Sequence, residues 1–499
     1  MDWRQVEADR DDNVSAAAEI DLIAGDYVLY FSALGGFFPI KKEVRLLKLF
    51  RLGTFNIEGG TLVAWDRYGQ PARWRAVVRA ADPGFRESDF VANPPPPEVV
   101  APVAFRETGS GEFYRAGLDV RQTIRLRILA VGEYVAREQG FADGAWIEDR
   151  DECLRVWEMT LRNTESAGGA KKNRVFDDIV ELAPGRYLLC YVTDDSHAFG
   201  DWNAPPPYDP ESWGVTLLPI EAVPDGALRV VIDPPDENLV ARIDRVGDAE
   251  FRRIGFELRR EADLCVRGFG ELSSDKDHLV DYGWIEDART LEPVWTMQNT
   301  VGIWAGGEPR NRLVQERVRL AAGSYYLCYF SDYAHSYPRW SKTPPYDPRS
   351  WGIALQGLGR DFDTATVRTF EESEGPAAIV RLAPVGDDEH RRVSFVVSEP
   401  MRVKIIAMGE GSRGEMYDYG WLTRKESGEK IWTMDYEDSS PAGGGRKNRR
   451  VEEFLSLEPG EYTLHYESDG SHSIEGWNDD PPEEPQYWGV TLLEWPAGR

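Results

Sequence analysis

The chain has 499 residues, and its 86 acidic and 58 basic side chains give a net charge of −28 at pH 7. Such a field repels phosphate backbones, which argues against a nucleic-acid partner. No apolar run approaches the ~18–20 residues of a membrane span. A chain of this length has room for about three to four domains, each able to bury its own core.

Residues 1–90 are predicted to form a degenerate or permuted partial β module. The spacing from Asn13 to Gly25 repeats the spacing from Asn173 to Gly185 in a later, complete copy. A strand–turn–strand pattern follows. The chain is therefore expected to begin in the middle of a module.

A proline-rich linker follows at 91–100. Its four consecutive prolines, Pro94–Pro97, favour an extended, semi-rigid spacer. Softer boundaries are expected near 221–236 and 358–376. The sequence thus predicts three modules, at 101–220, 237–357 and 375–495.

Within each module the pattern is that of β-strands. Ile124, Leu126 and Ile128 alternate with Arg125 and Arg127, as expected for a half-buried strand. Short segments of this kind are separated by Gly and Pro turns, and no long stretch has helical periodicity. We therefore predict an all-β fold of three tandem β-sandwich modules, jelly-roll or immunoglobulin-like.

One loop recurs in every module, with the pattern Asp-x-x-His, then Trp, a proline pair and Trp-Gly. Its histidines are 138 and 137 residues apart. This period is too long for a solenoid unit of ~20–50 residues, so it indicates tandem domains. The candidate binding residues are Asp194, His197, Trp202 and Asn203 in the first copy, Asp332, His335 and Trp340 in the second, and Asp469, His472, Trp477 and Asn478 in the third.

The aspartate and histidine of this loop are the residues most suited to chemistry. Both types can ligate a divalent cation, and an aspartate can orient a histidine through one ring nitrogen. Three interpretations stay open: a structural turn closed by the aspartate, a ligand or metal site, and acid–base catalysis. In the second copy Ser341 replaces Asn203 and Asn478, so that copy should bind more weakly if asparagine is a ligand.

Tryptophan is unusually frequent, with 17 in the chain. Four registers, those of Trp146, Trp157, Trp202 and Trp213, repeat in all three modules. Trp146, Trp157 and Trp213 occur in strand contexts and are assigned to the core. Trp202 and its counterparts lie in loops, where a large aromatic either plugs the fold or contacts a ligand.

The dipeptide Asn-Arg also recurs, at Asn173-Arg174, Asn311-Arg312 and Asn448-Arg449. We interpret the asparagine as a turn residue and the arginine as the partner of a repeated aspartate such as Asp143. The alternative is a guanidinium fork for a carboxylate ligand.

The four cysteines are predicted to be free thiols. Cys190 and Cys328 share a register, whereas Cys153 and Cys265 do not. A disulfide framework copied with the repeat would recur in register, and no metal-type spacing exists.

The segment 182–191, Leu-Ala-Pro-Gly-Arg-Tyr-Leu-Leu-Cys-Tyr, resembles the bacterial pre-peptidase C-terminal domain. That family is a small jelly-roll-like β-sandwich, usually secreted beside a catalytic domain. The resemblance implies a fold and a secreted location. The N-terminus at Met1 lacks a signal peptide and would instead imply the cytoplasm.

No signature of a nucleophile elbow, zinc protease or phosphate loop occurs in the chain. Three near-equal copies suit multivalent binding better than a single active site. The sequence therefore predicts a non-enzymatic binding or spacer protein that recognises a protein or a glycan through the repeated loops. Two alternatives are a scaffold or regulatory subunit packed on a separate catalytic protein, and a metal-dependent hydrolase with repeated sites.

Overall fold

A computed structural model describes residues 101–220, 223–275, 278–371 and 378–495, together with two short N-terminal strands. These strands, β1 (Glu7–Ala8) and β2 (Val14–Ser15), pair antiparallel. The partial module and linker predicted for 1–100 otherwise lie outside the described residues. Regular structure in the described ranges consists of strands and short 3-10 turns. They include no helix that is long and apolar enough to cross a membrane.

Ten strands form the first module. They are β3 (Val103–Phe105), β4 (Phe113–Val120), β5 (Ile124–Val135), β6 (Gly140–Asp149), β7 (Leu154–Glu158), β8 (Glu165–Ser166), β9 (Asn173–Leu182), β10 (Gly185–Val192), β11 (Gly214–Pro219) and β12 (Leu228–Ile232). The front sheet has the order β3-β11-β5-β9-β8, and the back sheet has the order β12-β4-β10-β6-β7. All these pairs are antiparallel, and β5 also pairs with the start of β6, which joins the two sheets.

The second module repeats this arrangement. Its strands are β13 (Leu239–Ile243), β14 (Phe251–Leu258), β15 (Ala262–Leu272), β16 (Leu279–Asp287), β17 (Pro293–Thr296), β18 (Ile303–Trp304), β19 (Asn311–Leu320), β20 (Gly323–Phe330), β21 (Ile353–Gly357) and β22 (Val367–Phe370). The front sheet is β13-β21-β15-β19-β18 and the back sheet is β22-β14-β20-β16-β17. In both modules a strand beyond the predicted end, β12 or β22, completes the back sheet.

The third module has one strand fewer in its back sheet. Its strands are β23 (Val380–Leu382), β24 (His390–Val397), β25 (Met401–Ser412), β26 (Glu415–Met416), β27 (Tyr419–Arg424), β28 (Lys430–Thr433), β29 (Ser440–Pro441), β30 (Asn448–Leu457), β31 (Gly460–Glu467) and β32 (Gly489–Glu494). The front sheet is β23-β32-β25-β30-β29, and the back sheet is β24-β31-β27-β28. Among the described residues β24 therefore has a strand neighbour on one side only.

Each module has a core between its two sheets. On β5 the side chains of Ile124, Leu126 and Ile128 are buried, whereas Arg125 and Arg127 are exposed. The predicted half-buried strand and the all-β sandwich class are confirmed.

The corresponding strand of the third module, β25, is buried on both faces. Val403, Ile405 and Ala407 belong to the core of their own module. Ile406 and Met408, which alternate with them, pack together with side chains of the second module. A nearly continuous apolar run is typical of a strand covered on both sides.

Consecutive modules are therefore stacked back to front. We call the outer surface of each back sheet the back face and the outer surface of each front sheet the front face. At the first junction Arg267 on the second front face lies 3.0 Å from Glu148 on the first back face. Tyr346 of the second module packs against Phe113 and Trp146 of the first, with ring centroids 5.3 Å apart in each pair.

The second junction uses the same registers on the back face. Arg253 lies 3.2 Å from Glu286, and both groups contact Tyr487 of the third module, at 2.5 Å and 3.3 Å respectively. Tyr282 donates a hydrogen bond to Glu483 of the third module at 2.8 Å. Both junctions thus combine aromatic rings with an ion pair that is largely removed from water.

The first junction is also covalent, because Cys153 and Cys265 form a disulfide. The prediction of free thiols was wrong for this pair and holds for Cys190 and Cys328, which are free and buried. The two bonded cysteines occupy different registers since they belong to different faces of one junction. A comparison of repeats aligns equivalent positions within modules and therefore overlooks such a bond.

Candidate functional site

The repeated loop has the same backbone in all three modules. Its histidine is in the left-handed region in each, with φ of 57° at His197, 65° at His335 and 63° at His472. This conformation is unfavourable for a residue with a Cβ, although histidine tolerates it better than most. Such a conformation persists only where tertiary contacts fix the residue.

Those contacts hold the imidazole ring inside the module. His197 is fully buried, and its Nε2 lies 2.7 Å from Oδ1 of Asn173. The amide nitrogen of Asn173 donates to the carbonyls of Gly168 and Pro205. Since Oδ1 can only accept, Nε2 carries the proton and Nδ1 is the unprotonated nitrogen. The same His–Asn contact recurs in the second and third modules.

The loop that carries Gly168 and Gly169 lies directly against the proline pair. A Cβ at Gly169, where φ is 66°, would come within 1.9 Å of the carbonyl oxygen of Pro206. Gly307 and Gly444 meet Pro344 and Pro481 in the same way. Glycine is therefore required here, and the His–Asn contact ties three loops into one unit.

Two indoles enclose the histidine. Trp202 and Trp213 are perpendicular to His197 and to each other, with ring centroids 5.0 to 5.5 Å apart. Trp213 is fully buried, and its Nε1 donates to Asp143 at 3.0 Å. Trp202 is half-buried. The loop tryptophan thus packs against the histidine and remains partly accessible to solvent.

The histidines have little tendency to take up a proton. Burial is the largest cause, and the neighbouring Lys172 adds to it, lowering the pKa of His197 to about 3. Burial and Lys447 lower the pKa of His472 to about 4, and burial also lowers the pKa of His335. At neutral pH each ring is a neutral hydrogen-bond donor to asparagine.

Carboxylates cluster beside the loop. In two modules three of them lie within 4.8 Å of one another: Glu271, Asp281 and Asp332, and Glu410, Asp418 and Asp469. Burial raises the pKa of Glu271 to about 7 and that of Asp418 to about 8. Such oxygens are the ligands that Ca²⁺ and Mg²⁺ prefer. The loop aspartate joins this cluster and the loop histidine does not, so the predicted Asp–His ligand pair is not brought together there.

A side-chain cation already accompanies each glutamate. Lys172 lies 3.0 Å from Glu133 in the first module, and Arg310 lies 2.7 Å from Glu271 in the second. Lys447 has the corresponding contact in the third module. These cations supply part of the positive charge that a metal ion would bring.

The candidate residues differ in their access to solvent. The histidines are buried, the loop tryptophans are half-buried, and Asn203, Asn478 and Asp469 are exposed. Asp194, Asp332, Trp340 and Trp477 are half-buried. In the second module, which lacks the asparagine, Ser341 Oγ lies 3.3 Å from His335 Nδ1.

The repeated arginines have other partners than those predicted. Arg174 donates to the hydroxyl and carbonyl oxygens of Thr164, and Arg449 binds Ser439 in the same manner. The predicted pairing with Asp143 is wrong. That carboxylate instead accepts hydrogen bonds from the backbone N–H of Asp194 and the indole N–H of Trp213.

The Trp146 register was predicted to belong to the core, which is confirmed as burial for Trp146 and Trp284 but not for Trp421. Trp146 and Trp284 are each 5% exposed, but they lie on the back faces and are covered by the following module. Sequence reasoning likewise missed Tyr346, which follows the proline pair and fills the first junction. The recurrence of tyrosine at Tyr208 was the available signal.

The back face of the third module has no covering module in the described chain. Trp421 occupies the register of Trp284 and stacks on His465, with centroids 4.8 Å apart and planes within 4°. His390 lies 5.6 Å from the same indole. Trp421 and His465 are half-buried and His390 is exposed. This back face is therefore an open aromatic surface.

No protein-family model and no curated protein sequence matches the chain. Among solved structures, it is similar to the CBM32 and M60 catalytic domains of ZmpB from Clostridium perfringens, at 6% identity and a TM-score of 0.14, over 78% of this chain and 53% of that one. Dimeric latent PorU from Porphyromonas gingivalis matches at 10% identity and a TM-score of 0.12, over 78% and 33%. The chain spans about half of the first and a third of the second. Similarities this low carry no conclusion about function, and the resemblance to the pre-peptidase C-terminal domain stays a prediction.

Proposed function

We propose that this protein is a non-catalytic multi-module binding and spacer protein that recognises a protein or a glycan. The observation that carries this proposal is the junction between modules, which is built from the same back-face registers twice. Arg253 and Glu286 are nearly inaccessible to solvent at the second junction, with side chains 3% and 1% exposed. Junctions of this kind hold successive loops at fixed positions relative to one another.

The state of the loop histidines supports a structural role for them. His197, His335 and His472 are buried, each is in contact with an asparagine, and each has a lowered pKa. A general base must reach a substrate proton and have a pKa near the operating pH. The rings therefore serve better as internal ties than as catalysts.

The recognising groups would be the half-exposed indoles and the asparagines beside them. Trp202 and Trp477 are half-buried, and each is followed by an exposed asparagine whose amide oxygen accepts a hydrogen bond from a lysine. An aromatic ring and a few polar groups suit a sugar ring or an extended peptide. The second module, with Trp340 and no asparagine, would contribute less.

A glycan array probed with the full chain tests this proposal. A hit should weaken at least tenfold in the Trp202→Ala, Trp477→Ala double variant and change much less in Trp340→Ala, with melting curves showing that each variant is folded. A peptide array provides the protein arm of the same test. Binding that is equal in the double variant and the wild type would overturn the assignment of these residues.

The carboxylate clusters favour a second candidate, a metal-dependent hydrolase. Glu271, Asp281 and Asp332 could hold a divalent cation that activates water. In that case Ca²⁺ or Mg²⁺ should raise the melting temperature, and Asp332→Asn should abolish both this effect and the hydrolysis of ester, peptide or glycoside substrates. Unchanged melting in millimolar Ca²⁺ and Mg²⁺, without turnover, would exclude this candidate.

A further inference from the structure

We infer that the open back face of the third module binds the front face of the first module in a second copy of this chain, so that copies associate head to tail. This inference concerns a surface for self-association, which combines Tyr208 of the first repeated loop with the back face of the third module. It continues a contact that the chain already makes twice within itself. The proposed contact joins the back face of the third module to the front face of the first, and no described residue covers either face.

The first of these parts is the loop tip at Tyr208. Tyr208 follows a proline pair and precedes Asp209, as Tyr346 precedes Asp347 in the second module. Tyr346 is packed into the first junction, whereas Tyr208 is 66% exposed. A large aromatic is thus presented to solvent at the position where its counterpart anchors a junction.

A hollow lies beside this loop tip on the front face. It has a volume of about 190 Å³, and its lining includes Leu129, Val131, Val175 and Tyr208. In the second module Phe269 occupies the register of Val131 and contacts Tyr346, with centroids 5.5 Å apart. The smaller valine leaves room for an aromatic group from another molecule.

The complementary part is the back face of the third module. The residues that receive Tyr346 at the first junction are Phe113 and Trp146, with Arg115 beside them. Strand pairing places His390, Trp421 and Arg392 in the same three registers. An aromatic platform flanked by an arginine is therefore present without the aromatic side chain that fills it elsewhere.

The charges of the two parts are opposite. Arg392 is exposed, and Lys430 lies 5.0 Å from the Trp421 ring. On the other side, Tyr208 is followed by Asp209 and by the exposed Glu211. In a protein of net charge −28, a local cationic patch favours contact with an acidic segment and so fixes the orientation of the two copies.

The glutamate that occurs at both internal junctions is absent from the back face of the third module. Thr423 occupies the register of Glu148 and Glu286, so Arg392 has no buried carboxylate partner of that kind. The acidic loop tip of a second copy can supply the missing charge. A contact between two different faces is heterologous and leaves each copy with one free end, so it can extend beyond a dimer.

Sedimentation velocity of the full chain tests this inference at about 1 to 100 μM, a range in which weak association is detected. The wild type should grow in average mass with concentration. Tyr208→Ala should abolish this growth, since it removes the front-face anchor, and so should Trp421→Ala combined with Arg392→Glu. Tyr333→Ala, which removes another exposed tyrosine, should leave the growth in average mass with concentration unchanged.

A mixture of the two variants that should not associate on their own, Tyr208→Ala and Trp421→Ala with Arg392→Glu, gives the decisive result. One still carries an intact back face and the other an intact front face, so together they should form a 1:1 dimer and nothing larger. Circular dichroism verifies that both variants are folded. A wild type that stays monomeric, or variants that associate as well as the wild type, would overturn the inference.

Discussion

The back faces of the second and third modules have the same strand order at their centres but different surroundings. Trp284 is 5% exposed under the third module, whereas Trp421, in the same register, is only half-buried. The free cysteine Cys328 is buried against the first of these indoles, and His465 stacks on the second. One scaffold thus supports either an internal junction or an open surface.

The residue differences between these two back faces follow from the difference in their access to water. A covered face accepts a thiol and a paired arginine and glutamate, because each polar group has a partner inside the junction. At the first junction burial alone would raise the pKa of Glu148, but Arg267 and Arg155 outweigh it and the pKa is lowered. An open face can hold an exposed imidazole, His390, and an arginine, Arg392, that water solvates. The identity of these few residues therefore distinguishes the two kinds of face.

The largest expected difference between the faces concerns their arginines. Arg253→Met should lower the free energy of unfolding by about 3–5 kcal/mol, because it leaves the buried Glu286 without its ion-pair partner. The matched change Arg392→Met removes an exposed arginine and should cost about 0.5 kcal/mol or less. Urea unfolding of dilute protein measures both. Equal losses would mean that the two faces are equally covered in solution.

The indoles should show the same contrast. Trp284→Ala should cost about 3 kcal/mol, the lower end for a buried tryptophan, because a junction can partly collapse onto the cavity. Trp421→Ala should cost less, about 1–2 kcal/mol, since part of this indole is already exposed to solvent. The readout is again urea unfolding. A larger loss for Trp421 than for Trp284 would contradict the assignment of covered and open faces.

The disulfide distinguishes the first junction from the second. Replacing Cys153 and Cys265 by serine should lower the free energy of unfolding by about 2–4 kcal/mol, because the unfolded chain loses its cross-link. Dithiothreitol should reproduce this loss in the wild type and have no further effect on the double variant. A wild-type melting curve that is indifferent to reductant would show that the bond does not form.

The smallest expected effect concerns the loop histidine and pH. The pKa of His472 is lowered to about 4 by burial and by Lys447, below the ~6.5 of an unfolded chain. The folded state therefore binds fewer protons between these values, and the wild type loses stability as the pH falls through this window. His472→Gln lacks this loss, so the gap in melting temperature between the two proteins should narrow from pH 6.5 to 4.

Asp418 has the opposite dependence. Burial raises its pKa to about 8, so its contribution to stability is lost as the pH rises through that value. Asp418 is present in both the wild type and His472→Gln, so its contribution cancels in the difference between their melting temperatures. A gap that stayed constant between pH 6.5 and 4 would show that His472 is not held in its neutral form.

Period and alternation predicted much of the fold. The alternation from Ile124 to Ile128 predicted a half-buried strand, because a side-chain period of 2 reflects which face is buried. The Trp213 register, repeated in a strand context, predicted a core position. The continuous apolar run in β25, by contrast, carried the signal of a strand covered on both sides. It was available in the sequence and indicates that the front face of the third module is a junction.

The candidate site was less accessible to sequence reasoning. Histidine and aspartate in one short loop suggested a shared ligand, yet His335 turns inward to Asn311 while Asp332 joins Glu271 and Asp281. Side chains three residues apart in a loop have no fixed relative direction. Their partners come from other strands, and only the folded chain brings those strands together.

The sequence by itself determined the number of repeats, the β class and the residues that every module needs, because local periodicity and turn chemistry are properties of short segments. The tertiary structure decided which of the equivalent residues are buried. Trp146, Trp284 and Trp421 are the same residue in the same register, and the presence or absence of a following module makes the first two part of a junction and leaves the third at the surface. Burial depends on neighbours that are distant in the chain, so the same residue in the same register can form an internal contact in one module and lie nearer the surface in the next.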